Sequence, residues 1–472
     1  MHIKSRQKNN VKYTYWWFHV IQLVFCMFSI FVCITEGDKL FLLPLLYFIL
    51  YLIVFILLKI KLNFVALMVF SITCLRYVVL PLLYYTNNGT IGKITYIRYT
   101  LKYTNQVILI MVLELIAIIF AYVVSYKKYR TDDLQDNIFS RNNHYNATVG
   151  KSFGIFSFIL VIVGIVIVIR NPLLIRGIND PKISASIIKN SIMAIYQVVI
   201  IIFALLIIEL IYFSKLKENN KCALTIILYT PFIYLTSFMA TSVSRNSFII
   251  NSLILLLLIF KLYRKYFIRS LIVIGVFGIV YFFWITYIKS GNHQISTNMF
   301  YSVYKSFVNY PMFNAYFAGP TNIESGYLMY KRQGEFINIL YLFKDMFSNV
   351  PFVSKYFYNQ NTLIMFNKFL SNGLAYDQII PISTQSSLYF GLIFSGLLSF
   401  AATYFSNKCF YSLFSERNIT LYYVRAYTTI VLCMAPILSI NSISMLLSLR
   451  VLPLVIIYII NKRVTLRKSN EE

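Results

Sequence analysis

Two kinds of residue in this chain could do chemistry: arginines set in or beside apolar runs, and a group of carboxylates with one histidine in a long polar stretch. The turn Ala240-Thr241-Ser242-Val243-Ser244-Arg245-Asn246-Ser247 runs straight into an apolar segment. Ser244 or Asn246 can cap a helix starting there, leaving its first N–H groups and the positive end of its dipole facing outward, where an anion is stabilised. Arg245 adds a fixed charge and a planar fork that matches phosphate oxygens, so the turn reads as a phosphate site; the plainer alternative is an arginine that anchors a helix end. Arg76, Glu114 and Arg450 each interrupt a long apolar run. A charge there is costly in hydrocarbon, so each is either a ligand contact or part of a buried ion pair. Glu209 and Arg425 lie nearer the ends of their runs and read as snorkelling side chains. Within 289–386 the candidate acid and base groups are Asp377, Glu324, His293, Glu335 and Asp345, with Lys331 and Arg332 as further phosphate partners. Asp377 is favoured because it stands just before the next apolar run.

These residues need elements to position them, and composition says what those elements are. Of 472 residues 59% are hydrophobic and only 12% charged, where a soluble domain carries roughly a quarter charged. The solvent is a bilayer. The net charge of +27 sits in short runs between apolar segments, which marks topology rather than a nucleic-acid surface. Runs long enough to cross about 30 Å of hydrocarbon predict twelve spans, near 16–34, 40–58, 62–85, 106–125, 152–170, 191–213, 222–241, 247–263, 270–288, 387–406, 420–440 and 442–460. With both termini cytoplasmic, the inner segments hold roughly 24 Lys and Arg and the short outer loops about nine, as the positive-inside rule requires. The expectation is an all-α polytopic membrane protein, one multi-span domain over 1–472. A large extracytoplasmic loop, 289–386, joins its ninth and tenth helices. On this reading Arg76, Glu114 and Arg450 share a depth of roughly 12–14 Å below the outer surface, which suggests one outward-facing polar pocket.

The loop carries dense aromatics (Tyr301, Tyr304, Phe307, Tyr310, Phe313) and turn formers such as Gly319-Pro320 and Asn372-Gly373, so it should fold. From Phe336 to Phe347, helical spacing puts Asn338, Tyr341, Asp345 and Ser348 on one face and Phe336, Ile337, Leu340 and Phe343 on the other. That pattern fits an interfacial helix on the outer leaflet, or equally a helix packed in the loop's own core. The six cysteines lie in or beside apolar segments with no metal-ligand spacing, predicting neither disulfide nor metal. No Walker-type loop, zinc-protease helix or nucleophile elbow occurs, so no cofactor is expected.

The turn Ser242-Val243-Ser244-Arg245-Asn246, the long outer loop after nine spans, and its exit Ser383-Thr384-Gln385-Ser386-Ser387-Leu388-Tyr389-Phe390-Gly391 together resemble the Wzy-type oligosaccharide repeat-unit polymerases of bacterial O-antigen, capsule and exopolysaccharide assembly. The resemblance implies a glycosyltransferase of the bacterial cytoplasmic membrane. Such an enzyme moves a growing glycan from undecaprenyl diphosphate onto an incoming lipid-linked repeat unit, and works beside a flippase and a chain-length regulator. On that chemistry Arg245, Arg76, Arg450 and Arg332 would neutralise the departing diphosphate, and Asp377, Glu324 or His293 would accept the proton of the attacking hydroxyl. Two alternatives stay open: a lipid-linked oligosaccharide flippase or other transporter, and an O-antigen ligase-like glycosyltransferase.

Overall fold

The structure is a computed structural model. It describes residues 2–36, 39–86, 101–129, 187–237, 245–289, 310–334, 337–350, 353–357, 360–371 and 378–469, the pairs 93–94 and 97–98, and the isolated positions 159, 162 and 166. Among these the architecture is helical, apart from a two-residue antiparallel ladder pairing Lys93–Ile94 with Ile97–Arg98.

Five helices are long and apolar enough to cross a bilayer: Trp17–Thr35, Lys39–Leu57, Phe64–Thr86, Thr104–Tyr129 and Ile440–Ile460. Shorter apolar helices cover Gln197–Phe213, Asn246–Leu262 and Ile419–Cys433. The chain is a multi-pass membrane protein, since a helix satisfies its own backbone groups where no water can. The first span shows the sidedness this requires. Cys26, Ser29 and Cys33 are buried at helical spacing, while Val24, Phe25, Phe28 and Phe31 are exposed as a lipid face would be.

Helices stand where the sequence places most of the expected spans, including Ile187–Phe213, Glu218–Ser237, Arg245–Leu262 and Phe267–Lys289. The expected span 152–170 lies outside the described residues except at its three isolated positions. Two limits are corrected. The segment expected at 387–406 is broken: one helix, Ile382–Phe390, stops at Gly391, and another, Leu397–Ser415, begins beyond it. Gly391 has φ +92° and ψ 163°, a conformation that only glycine adopts without strain. The segment expected at 420–440 stops early, with helix Ile419–Cys433 giving way to a 3₁₀ turn at Ala435–Ile437. Pro436 has no N–H to continue the helix and disfavours helical backbone before it.

Three spans widen into π-turns, at Ile53–Leu57, Leu75–Val79 and Leu447–Val451, and the last two each contain a buried arginine, Arg76 and Arg450. Prolines follow these two closely, Pro81 and Pro453. A proline cannot donate to the carbonyl four residues back, here those of Tyr77 and Leu449, so the ladder loosens just where the arginines sit.

The chain divides into two compact units. The first comprises Met1–Arg130, Tyr304–Lys408 and Leu432–Ser444; the second comprises Thr131–Val303, Cys409–Val431 and Met445–Glu472. In the first unit the expected outer loop forms helices at Tyr310–Phe317, Pro320–Gln333, Ile339–Phe347, Thr362–Ser371 and Ile382–Phe390. The last four share a core of Met329, Ile337, Phe366, Ile380, Leu388 and Tyr389.

The break at Gly391 gives a direct test. An added Cβ would meet nothing within 4 Å at Gly391 or at helical Gly275, so only the backbone angle separates the two. Gly391→Ala is expected to cost about 1–3 kcal/mol, whereas Gly275→Ala should stabilise by roughly 0.5–1 kcal/mol. Thermal midpoints of the detergent-solubilised protein read both, and equal midpoints would remove the strain argument.

Candidate functional site

In the first unit Arg76 is fully buried and meets Glu114, Nη1 to Oε2, at 2.9 Å. Nη1 also donates to the Pro436 carbonyl at 2.6 Å, Nε to the Ala318 carbonyl at 3.1 Å and Nη2 to Ser383 Oγ at 3.4 Å. Glu114 in turn accepts from Tyr77 at 3.2 Å and from Ser399 at 2.9 Å. All three guanidinium nitrogens and both carboxylate oxygens are therefore engaged. The pair joins two spans, Phe64–Thr86 and Thr104–Tyr129, to Ala318 and Ser383 of the segment 289–386. Ala318 ends its helix at φ +49°, which turns its carbonyl away from the helical ladder. Gly319 follows, where a Cβ would lie 2.6 Å from Leu80 Cδ1 and 2.5 Å from Asn314 Oδ1. Only a residue without a side chain lets the loop come this close to the third span.

Arg450, in the second unit, is equally buried but keeps different company. Nη2 donates to the Thr236 carbonyl at 2.7 Å and lies 3.5 Å from Gln197 Oε1, while the guanidinium carbon sits 5.6 Å from the centre of the Tyr427 ring. Among the described residues no carboxylate pairs with it. The Tyr427 hydroxyl lies close to the guanidinium, although neither it nor Nη1 makes a hydrogen bond of good geometry. Asn251 bridges outward from this cluster, donating to Thr236 Oγ1 at 2.9 Å and accepting from Tyr423 at 3.4 Å. Asn251 belongs to the helix that Arg245 opens, about 9 Å along the axis from it. A buried cation with no well-formed hydrogen bond at one nitrogen, held by neutral groups, is suited to receive an anion.

Of the carboxylates in the loop, Glu324 is buried and its Oε1 accepts from the backbone N–H groups of Lys102 at 2.5 Å and Tyr103 at 2.8 Å. It thus anchors the approach to helix Thr104–Tyr129, a task the sequence does not announce because the partners lie more than two hundred residues away. Arg332 is exposed, its guanidinium 5.5 Å from the Phe369 ring. Arg245 opens its helix as expected; its side chain lies outside the described residues, as do Asp377, His293 and Glu335.

Asp345 is buried at the centre of a polar cluster. It accepts from Thr362 N at 2.8 Å, Thr362 Oγ1 at 2.5 Å, Asn441 Nδ2 at 3.0 Å, Gln385 Nε2 at 3.2 Å and the hydroxyl of Tyr389. Gln385 Oε1 accepts from Ile440 N at 2.7 Å. No cation among the described residues pairs with this carboxylate. Burial pushes its pKa above the ordinary carboxylate value, and the surrounding donors only partly offset that. The sequence flags Asp345 but assigns no role to Gln385, Tyr389, Thr362 or Asn441. The available signal is the i, i+4 spacing of Gln385 and Tyr389 on one helix face within an otherwise small and polar run. Among the described residues no His, Cys, Asp and Glu cluster could hold a metal ion.

No family model, curated protein or solved structure matches the chain.

Two measurements separate these buried charges. Glu114→Ala strands Arg76 and should cost about 3–5 kcal/mol, while the double change Arg76→Met with Glu114→Leu should cost clearly less; equal losses in thermal midpoint would mean the charges are not coupled. For Asp345 the sign follows from the upward shift. The folded state favours the protonated acid, so this contribution to stability is complete below the ordinary carboxylate pKa and is lost as pH rises through the raised value. Asp345→Asn removes that dependence. The midpoint of the parent chain minus that of Asp345→Asn is expected to fall as pH rises above the ordinary carboxylate pKa, and a difference that rises instead would reverse the assignment.

Proposed function

We propose that this chain polymerises undecaprenyl-diphosphate-linked oligosaccharide repeat units by inverting glycosyl transfer at the outer face of the bacterial cytoplasmic membrane, within a framework of about twelve transmembrane helices. The observation that supports the reading is Arg450: a cation buried in an apolar helix, with no carboxylate paired to it among the described residues and no well-formed hydrogen bond at one nitrogen. A multiply charged headgroup on an apolar tail answers both features. The tail remains in hydrocarbon while the diphosphate meets the guanidinium.

The chemistry runs as a single displacement. A hydroxyl of the incoming repeat unit attacks the anomeric carbon of the donor, the bond from that carbon to the diphosphate oxygen breaks, and the electron pair leaves with the diphosphate. Arg450 and Arg245 stabilise the charge that grows on the leaving group, at a helix N-terminus whose dipole has the same sense. Exposed Arg332 is a further phosphate contact. Arg76, whose nitrogens are all engaged, holds the surrounding helices in register. The attacking hydroxyl gives its proton to Asp377 or His293, since Glu324 is buried and committed to capping two backbone amides. Diphosphate is a competent leaving group, so the scheme calls for neither a nucleotide sugar nor a divalent metal.

Purified protein incubated with a lipid-linked repeat unit should yield a ladder of chain lengths. Arg245→Ala and Arg450→Met are each expected to lower chain growth at least a hundredfold, on the scale of losing a charge-stabilising donor. Arg450→Met should also leave the thermal midpoint unchanged or raised, because replacing an uncompensated buried cation by an apolar side chain relieves its desolvation. Lipid-linked substrate crossing a vesicle membrane without chain growth would instead make the chain a transporter. A product that retains the donor's anomeric configuration would exclude the single displacement.

A further inference from the structure

The helix Ile339–Phe347 is turned the opposite way from a helix on a water-soluble surface. Its polar residues Asp345 and Ser348, the latter just past its end, are fully buried. Its apolar residues face out: Ile339 is 49% exposed, Leu340 61%, Phe343 52%, Met346 44% and Phe347 41%. Hydrogen bonds tie its C-terminal end and the residues just past it to the first turns of the span Ile440–Ile460. Asn441 Nδ2 donates to Asp345 Oδ1 at 3.0 Å, Asn349 Nδ2 donates to the Asn441 carbonyl at 3.0 Å, and the Ser444 hydroxyl donates to the Met346 carbonyl. That span has 21 residues, about 31 Å of helix, which matches the thickness of the hydrocarbon and puts its first turn at one edge of it. The tied helix is therefore held at that edge, with its apolar face presented outward.

We propose that Ile339–Phe347 is a membrane-interfacial helix, lying along the bilayer surface with Leu340, Phe343 and Phe347 in the acyl chains beneath the headgroups. The occupant of the apolar face is lipid. Two observations select it over a protein partner: the helix is hydrogen-bonded to the end of a transmembrane span, and its polar residues Asp345 and Ser348 are buried in the cluster around Asn441. The helix length, about 13 Å for nine residues, is too short to cross and suited to lie flat. The inference is independent of the reaction proposed above, since none of the residues assigned to that reaction takes part in these ties.

The test places tryptophan at Phe343, and in a second variant at Leu340, in the full chain reconstituted into nanodiscs. Emission is read as the difference from the parent chain, which carries its own tryptophans at Trp16, Trp17 and Trp284. Both variants are expected to show blue-shifted emission that is quenched by phospholipids brominated near the glycerol end of the acyl chain and less by those brominated near the methyl end. Aqueous iodide should leave that emission largely intact. Emission indifferent to either brominated lipid would overturn the proposal, whether the face is covered by protein or open to water. Stronger quenching by methyl-end bromines would overturn it too, because it would put the helix at the depth of a span.

Discussion

A guanidinium taken into hydrocarbon loses several kcal/mol of hydration unless charge and hydrogen bonds replace it, and the first unit is organised around meeting that demand at Arg76. The converse need matters equally. Backbone that leaves helical geometry at membrane depth exposes carbonyls which lipid cannot satisfy. The chain leaves helical geometry at Ala318 and again around Pro436, and Arg76 donates a hydrogen bond to each of those carbonyls through its own N–H groups. Glu114 then neutralises the charge that does this. The breaks and the ion pair thus stabilise one another: without the breaks Arg76 would lack acceptors, and without Arg76 the breaks would be unsatisfied.

Arg450 begins from the same local pattern and ends differently. Both arginines sit in a π-turn shortly before a proline in an apolar helix. The widened turn moves the side chain off the regular helical spacing, and such turns often occur at functional positions. At Arg76 the surroundings supply a carboxylate and three further acceptors. At Arg450 they supply one carbonyl, one amide at 3.5 Å and an aromatic face. Tyrosine rings stabilise a cation without cancelling its charge, so the field of Arg450 remains available to a ligand. Neutral packing of this kind is a poor way to hold two helices together and a good way to hold a cation ready.

Apolar run length located most of the helices because the bilayer leaves helix as the main way to cross. Limits failed where a single backbone angle decided them: nothing in the sequence around Phe390-Gly391 distinguishes a glycine that fits inside a helix from one that ends it at φ +92°. Arg76 and Glu114 were each visible as misplaced charges, yet their pairing depends on how two spans are rotated, which span length does not reveal. Glu324 looked like an acid or base because its type permits it. Its use as a cap for Lys102 and Tyr103 depends on a contact made only after the loop folds back. The prolines at 81 and 453 are readable and mark the two π-turns that hold arginines; the remaining π-turn, Ile53–Leu57, is not followed by one.

The two faces of Ile339–Phe347 were also readable, but not which one points inward, because spacing is silent about the surrounding solvent. In water this helix would incur two penalties in its observed orientation: a carboxylate withdrawn from solvent, and a row of large apolar side chains left in it. Burying such a side chain is worth about 1.5–3 kcal/mol, so turning the helix over would relieve both at once. It does not turn over. The donors of Thr362, Gln385, Tyr389 and Asn441 offset the first penalty in part, and a lipid environment removes the second altogether. An orientation unfavourable on both faces in water becomes the stable one at a membrane edge, where the polar face has its own donors and the apolar face has acyl chains.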